Sequence, residues 1–213
     1  MQALLCYLTL TALSALVETG ELSAAQSTNT ENVARQPGGH RETEYHGGLV
    51  TPPIPKPAFT LTDTHGQAFD FLSKTDGYVT LLFFGYTHCS SVCPTQMSLV
   101  ASALRELPND VAKRCKVVFV TTDPQRDKPG VLRTWLDHFD KNFIGLTGTE
   151  TAIEASQVAA HIPVTRGDPD GHAAFILAYT KDSLAHVIYP AGVTQADWIH
   201  DLPLLARETW TGH

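Results

Sequence analysis

The sequence predicts an α/β domain beyond residue 58, because short apolar strand patterns and amphipathic helix patterns alternate along that part of the chain. A β-hairpin pattern opens the region, apolar strands separated by helix patterns follow, and a second hairpin pattern with a helix closes it. Strands joined in parallel through helices need both faces of their sheet covered. The expected architecture is therefore a thioredoxin-like α/β/α sandwich with a central mixed sheet and an N-terminal β-hairpin extension.

Each predicted element has its own pattern. The first hairpin turns at the Thr-His-Gly of 64–66, and the run YVTLLFFG at 78–85 is apolar except for Thr80, as in a strand buried on both faces. The last helix has Trp198, Leu202 and Leu205 spaced by four and three residues, which is one helical face. The predicted strands are 59–62, 67–69, 78–85, 116–121, 143–146, 172–179 and 186–189, and the predicted helices are 94–107, 131–139, 151–160 and 195–209.

Composition excludes several classes of protein. The 213 residues are 43% hydrophobic and 17% charged, which is too apolar for a chain that is disordered throughout. The net charge is −7 and no run of Lys or Arg exists that would neutralise a row of phosphates, so nucleic acid is not an expected partner. Four cysteines are too few and too unevenly spaced for a disulfide-stapled scaffold.

The first 57 residues differ from the rest. Residues 3–17 are apolar apart from Ser and Thr, about the length of a signal-peptide core and shorter than the roughly 20 residues that span a bilayer. We expect residues 1–25 to be a signal peptide or an N-terminal membrane anchor, and the protein to be exported to the periplasm or the outer face of the cytoplasmic membrane. Residues 26–57, with two Gly-Gly pairs and prolines at 52, 53, 55 and 57, are predicted as a flexible linker, and 58–213 as the folded domain.

Cys89 and Cys93 directly follow the most apolar predicted strand, where ligand sites of open α/β sheets gather. Pro94 belongs in the first turn of the next helix, so both sulfurs are expected at a helix N-terminus, which favours the thiolate. The spacing allows a disulfide, a redox pair or a shared metal ion. Two thiolates suit Cu(I) or Zn(II), and such a pair usually needs a third ligand from elsewhere in the fold.

The third ligand is sought among ten histidines. His172 is the leading candidate because it opens an apolar strand after a turn-rich segment, and in a thioredoxin-like sheet the loop entering that strand faces the Cys pair. His88 is too close to Cys89 in sequence for easy chelation, and His161 is expected to cap a helix end. The remaining histidines are expected at the surface, at the terminus or in the linker: His40, His46, His65, His138, His186, His200 and His213.

Two further features have no assigned role in the sequence. The run Asp123-Pro124-Gln125-Arg126-Asp127 follows a predicted strand, and we expect either a turn whose Asp caps the helix beginning near residue 129 or a part in docking a partner. Cys115 precedes the same strand and is expected to be a partly buried thiol.

Three segments together resemble the Sco family (Sco1/SenC), thioredoxin-fold copper proteins that support assembly of the binuclear copper site of cytochrome c oxidase. They are FFGYTHCSSVCP at 83–94, TTDPQRDKP at 121–129 and the histidine ahead of AAFILAY at 173–179. With Pro-Ala-Gly at 190–192, the resemblance covers about residues 58–210. It implies that Cys89, Cys93 and His172 bind Cu(I) or Cu(II).

The chain departs from the family pattern at two places. The family usually has Asp-His-Ser/Thr at the ligand histidine, whereas this chain has Gly171-His172-Ala173, and an Asp common between the two cysteines is Ser91 here. Side chains that orient an imidazole tune its metal, so these changes bear on Cu(II) binding and redox tuning more than on a Cu(I) site.

The resemblance implies a copper metallochaperone that delivers copper to, or prepares, the binuclear copper site of cytochrome c oxidase. Its partners would be the oxidase subunit carrying that site and another copper chaperone. The alternative is a thiol:disulfide oxidoreductase, in which Cys89 attacks and Cys93 resolves to reduce a partner's cysteines. A thiol peroxidase is less favoured because no Arg stands close to the Cys run. Whether the protein is an enzyme stays open at this point.

Overall fold

A computed structural model describes residues 44–164, 173–208 and 210, all of which belong to one compact unit within residues 37–213. Its strands are β1 Gly48–Pro55, β2 Thr60–Asp63, β3 Ala68–Asp70, β4 Val79–Gly85, β5 Cys115–Thr121, β6 Ile144–Thr147, β7 Phe175–Tyr179 and β8 Leu184–Pro190. Its helices are α1 Phe71–Lys74, α2 Val92–Glu106, α3 Asn109–Ala112, α4 Pro129–Asp137, α5 Glu150–Ala159 and α6 Gln195–Arg207. None of these helices has the length and apolar character needed to cross a membrane.

The described strands form one mixed sheet in the order β1-β8-β7-β4-β5-β6-β2-β3. β4 pairs in parallel with β5, and β5 with β6, because helices lie between them in sequence and return the chain to the same starting edge. The pairs β2–β3 and β7–β8 are antiparallel hairpins, and β7 runs antiparallel to β4. The end of β4 therefore lies at the same edge of the sheet as the start of β7.

The sheet is covered on both faces, as the predicted sandwich requires. All seven residues of β4 are buried, and their alternation sends Leu81 and Phe83 to one core and Leu82 and Phe84 to the other. The first core contains side chains of α2, α4 and α6, and the second contains those of α1 and α5. The predicted α/β/α architecture with a mixed sheet is confirmed.

The last helix shows why the sequence pattern predicted it well. Thr194 accepts a hydrogen bond from the backbone of Asp197, and the Asp197 side chain accepts one from the backbone of Thr194, which is a capping box. Trp198, Leu202 and Leu205 are fully buried in the first core. The helix ends at Arg207, two residues before the predicted end.

Residues 48–57 correct the predicted linker. They contain β1, which pairs antiparallel with β8, Gly48 opposite Ile188 and Pro55 opposite Leu184. The prolines suggested a linker, but β1 is an edge strand whose register breaks between Leu49 and Ile54, and edge strands and breaks accept residues without an N–H. The predicted segment 1–25 and the first part of the predicted linker, residues 26–43, lie outside the described residues.

Other differences are small. The one-turn helices α1 and α3 were not predicted, because four residues are too few to show a helical period. β8 runs from Leu184 to Pro190 instead of 186–189, and β7 begins at Phe175, while the predicted start at residue 172 lies outside the described residues.

Candidate metal centre

The two cysteines lie at the junction between β4 and α2. β4 ends at Gly85, α2 begins at Val92, and the loop between them turns where the N–H of Cys89 donates to the carbonyl of Tyr86 at 3.3 Å. Cys93 is in the first turn of α2 and fully buried, whereas Cys89 is half-buried in the loop. Both are present as thiols, with no disulfide between them. The predicted setting, a strand end followed by a helix N-terminus, is what the structure has.

Cys89 is the more acidic thiol of the pair. Burial opposes its ionisation, but the backbone N–H groups of Cys93, Ser91 and Val92 are directed at the sulfur and together lower the pKa of Cys89 below that of an ordinary thiol. The N–H of Cys93 is 3.4 Å from Cys89 Sγ. These are N–H groups at the start of a helix, which have no partner within it and stabilise an anion. Cys89 is therefore prepared to act as a thiolate, toward a metal or a disulfide.

Cys93 is held in a tight apolar space. Burial strongly raises the pKa of this thiol, and a Cβ on Gly85 would lie only 2.7 Å from Cys93 Sγ. Position 85 therefore has to be glycine for the sulfur to occupy this place. The reason is space and not conformation, because the φ of Gly85 is not in the left-handed region. A soft metal ion that both sulfurs bind would displace the proton that Cys93 otherwise keeps, because a coordinating thiol is deprotonated.

Asp127 anchors the loop that carries Cys89. It is fully buried, and its carboxylate accepts hydrogen bonds from the N–H of Thr87 at 2.9 Å, the Thr87 hydroxyl at 2.6 Å and the Thr121 hydroxyl at 2.7 Å. His88 Nδ1 lies 3.7 Å from the same carboxylate. A buried carboxylate with several donors is well satisfied and rigid. Asp127 thus fixes the cysteine loop from the segment between β5 and α4.

The capping prediction for this segment is wrong. Lys128 is the N-cap of α4, and no side chain caps that helix. Asp123 instead pairs with the side chain of Arg126 and accepts its backbone N–H. The sequence analysis did not identify Asp127 as the residue that hydrogen-bonds to the cysteine loop. Its position in TTDPQRDKP could have indicated this, because that segment follows β5, and β5 ends beside the end of β4.

The comparisons with known proteins decide the family. The family model SCO1/SenC matches residues 51–202. The chain belongs to the SCO1/SenC family.

Members of the SCO1/SenC family with known structures share this fold. ScoI of Bradyrhizobium japonicum, solved with copper bound, is 31% identical, covers 71% of this chain and 99% of its own, and superposes with a TM-score of 0.61. Apo Sco1 of Thermus thermophilus is 28% identical, covers 76% of this chain and 96% of its own, and has a TM-score of 0.65. The predicted thioredoxin-like fold and the predicted Sco resemblance are confirmed.

Among curated proteins, a SCO2-like protein of Rickettsia felis is 38% identical over 96 residues, which are 45% of this chain and 46% of that protein. The part of this chain that aligns with these curated relatives spans about half of each relative's length.

The histidine expected as third ligand, His172, lies outside the described residues. The neighbouring residues are described: Ala174 accepts a hydrogen bond from the N–H of Ala191 at 2.8 Å, and β7 follows with Ile176 opposite Phe83 of β4. The two lesser candidates have other surroundings. His88 is half-exposed, and its Nδ1 lies 3.1 Å from the Thr87 hydroxyl. His161 lies two residues beyond the end of α5, has a positive φ of 57° and donates its N–H to the carbonyl of Val158.

Two histidines expected at the surface or in the linker have specific partners instead. His186 is buried, stacks on Trp210 with ring centroids 3.7 Å apart and bonds to Asp182 at 2.7 Å. His46 stacks on His200. The strand pattern and the prolines around these residues carried no signal of either contact, since both depend on how distant segments meet.

Proposed function

We propose that this protein binds copper through Cys89, Cys93 and His172 and acts as a copper metallochaperone in the assembly of cytochrome c oxidase. The observation that carries the proposal is the unequal Cys pair at the β4–α2 junction, with a half-buried thiol of lowered pKa beside a buried thiol. Two thiolates and an imidazole form a soft ligand set that suits Cu(I). A copper-bound relative, 31% identical to this chain, has the same fold.

The direction of β7 supports His172 as the third ligand. β7 runs antiparallel to β4 and starts at the sheet edge where β4 ends, so the chain entering β7 arrives at the edge that carries the cysteines. His172 precedes Phe175 by three residues. Gly171 and Ala173, on either side of His172, have no side-chain group that could hydrogen-bond to the imidazole, which favours Cu(I) over Cu(II).

Membership of the SCO1/SenC family supports the proposed cargo, partners and location. Copper would be handed to the oxidase subunit that carries the binuclear copper site, after arrival from another copper chaperone. Residues 1–25 would serve as the signal peptide or membrane tether that places the domain in the periplasm or at the outer face of the cytoplasmic membrane.

A second function is favoured by the same two sulfurs. Cys89 as a thiolate would attack a partner's disulfide and release one thiol of the partner. Cys93 would then attack Cys89 Sγ and free the partner's second thiol. The partner gains two electrons and two protons, and this protein is left with a Cys89–Cys93 disulfide. A thiol reductant must then reduce that disulfide to regenerate the two thiols. Such a reductase would prepare the partner's cysteines to receive copper.

The test is an anaerobic Cu(I) titration of the reduced full chain against a competing chelator. The proposal predicts one tightly bound Cu(I), lost in Cys89→Ser and in Cys93→Ser and much weakened in His172→Ala, with Cys115→Ser as the matched control that binds like the parent. The full chain is used because β1 belongs to the folded domain.

The outcomes separate the candidates. Absence of tight Cu(I) binding in the parent would overturn the copper role, and reduction of a model disulfide by that same protein would then favour the reductase. Tight binding unchanged by His172→Ala would overturn the proposed third ligand alone.

A further inference from the structure

Among the described residues, His46, His200 and Asp201 form a cluster of side chains that can bind a metal ion, at a distance from the cysteines. It lies between the segment before β1 and helix α6. The rings of His46 and His200 stack in parallel, with centroids 4.0 Å apart and planes 5° from each other. One ligand atom from each histidine and a carboxylate oxygen of Asp201 all lie within 4.8 Å of one another. Two imidazoles beside carboxylates are donors that borderline divalent ions prefer.

Each imidazole is oriented by its own carboxylate. His46 Nδ1 is 2.7 Å from Asp197, and His200 Nδ1 is 2.7 Å from Asp201. When Nδ1 donates to a carboxylate, Nε2 keeps its lone pair and becomes the metal-binding nitrogen. This pairing of carboxylate and histidine is the arrangement that surrounds many protein zinc sites.

Asp201 holds the site together and does not need to be a ligand. It is fully buried, and its carboxylate accepts the N–H groups of His46 and Gly47, each at 3.0 Å, and the hydroxyl of Tyr189 at 2.8 Å. These contacts fix the backbone of residues 46 and 47 against α6. The backbone that carries the His46 ring is therefore held against α6 by buried groups, although both rings reach the surface.

We propose that His46 and His200, oriented by Asp197 and Asp201, form a second metal site that binds a borderline divalent ion such as Zn²⁺. The rings are 45% and 44% exposed, so an ion and its waters have free access. The two stacked rings are nearly parallel, so the lone pairs of their Nε2 atoms do not point at one ion. Binding therefore has to turn the rings apart until both nitrogens, about 3 Å from each other, face the same Zn²⁺. The Asp197 and Asp201 carboxylates beside the two imidazoles supply negative charge that favours a dication.

The site is separate from the cysteines and joins two parts of the fold. β1 begins at Gly48, opposite Ile188 of β8, and this start lies at the same edge of the sheet as the end of β4. β1 is three strands away from β4 in the sheet, which is about 14 Å. An ion held there would tie the segment before β1 to α6. This inference rests on contacts in the fold and does not depend on the copper role.

The test uses the full chain with Cys6→Ser, Cys89→Ser, Cys93→Ser and Cys115→Ser, so that no thiol binds the probe. Calorimetric titration with Zn²⁺ is expected to show one equivalent bound, with affinity at least tenfold lower after His46→Gln or His200→Gln. His65→Gln, at an exposed turn outside the cluster, is the matched control and is expected to bind like the parent. Zn²⁺ is also expected to raise the unfolding temperature of the parent and of the control, but not of either cluster variant.

Folding of each variant is checked by circular dichroism in the presence of EDTA, because loss of the stack alone changes stability without metal. Zn²⁺ binding and unfolding temperature that are unaffected by both cluster substitutions would overturn the proposal, and so would a parent with no binding at millimolar Zn²⁺. Neither result bears on Cu(I) binding by the thiol-containing protein, so failure here and failure of the copper role remain distinguishable.

Discussion

The buried carboxylate of Asp127 accepts both the N–H and the hydroxyl of Thr87, a residue 40 positions earlier in the chain, at 2.9 and 2.6 Å. Thr87 lies two residues before Cys89, and Asp127 lies two residues before α4. The two loops at the ends of β4 and β5 are therefore bound to each other through one carboxylate. The geometry of the cysteine loop depends on a residue that is itself no ligand.

Replacing Asp127 with alanine is expected to lower both stability and Cu(I) affinity. The change leaves the N–H of Thr87 and two hydroxyls without their acceptor, which should cost about 3 kcal/mol of unfolding free energy. Denaturant unfolding and a Cu(I) competition titration measure the two effects. The control is Asp137→Ala, which removes a surface pair with Arg133 and should change stability by about 0.5 kcal/mol or less. Equal results for the two variants would contradict the anchoring role.

Gly85→Ala is expected to push Cys93 out of place. The added Cβ would lie 2.7 Å from Cys93 Sγ and 3.1 Å from the Phe83 ring, in a core without spare room. We expect a loss of about 2 kcal/mol and weaker Cu(I) binding. Gly130→Ala is the control, since its Cβ meets nothing within 4 Å in α4 and alanine should stabilise that helix by about 0.7 kcal/mol. Unchanged Cu(I) affinity in Gly85→Ala would show that the sulfur position is not restricted by this contact.

The three thiols that the structure describes are expected to react with iodoacetamide in a definite order. Cys89 should react first, because it is partly exposed and N–H groups lower its pKa, whereas burial raises the pKa of Cys93 strongly and that of Cys115 to about 12. The thiolate is the reactive form, so the Cys89 rate should reach half its maximum at a lower pH than that of an ordinary thiol. Peptide mass spectrometry after timed quenching measures the order. Faster modification of Cys93 than of Cys89 in the native protein would refute it.

Lys56→Met is expected to change how stability depends on pH. Lys56 is 6% exposed and donates to the carbonyl of Thr75, and burial lowers its pKa from 10.5 to about 8. Below pH 8 the folded and unfolded chains both hold the proton, so the full cost of burying the charge is present. Between pH 8 and 10.5 the folded chain has lost the proton that the unfolded chain keeps, so the stability of the parent rises with pH.

The gain in unfolding free energy of Lys56→Met over the parent should therefore be largest near pH 7. It should fall by about 3 kcal/mol between pH 7 and pH 10.5 as the parent becomes more stable. Denaturant unfolding at several pH values measures this difference. Lys113→Met, at an exposed lysine, serves as the control and should show no such trend. A difference that stays constant over this range would mean that the buried Lys56 keeps its proton.

Local sequence patterns predicted the helices and strands whose buried residues recur with the period of a helix or a strand. The apolar run of β4, the face of α6 and the Cys pair before Pro94 all appeared in the structure as expected, because each depends on residues within one turn or one strand. β1 was missed, since its prolines are tolerated only at a sheet edge and the sequence does not show which strand is the edge.

The sequence by itself determined the α/β class, the family resemblance and the position of Cys89 and Cys93 at the start of a helix. Only the tertiary structure decided that Asp127 holds the cysteine loop and that Gly85 makes room for Cys93. It also decided that the ring of His46 stacks on that of His200, next to the carboxylate of Asp201, which is 155 residues from His46 in the chain. The physical reason is that strand and helix periods are local, whereas these contacts exist only once the sheet order brings distant segments together.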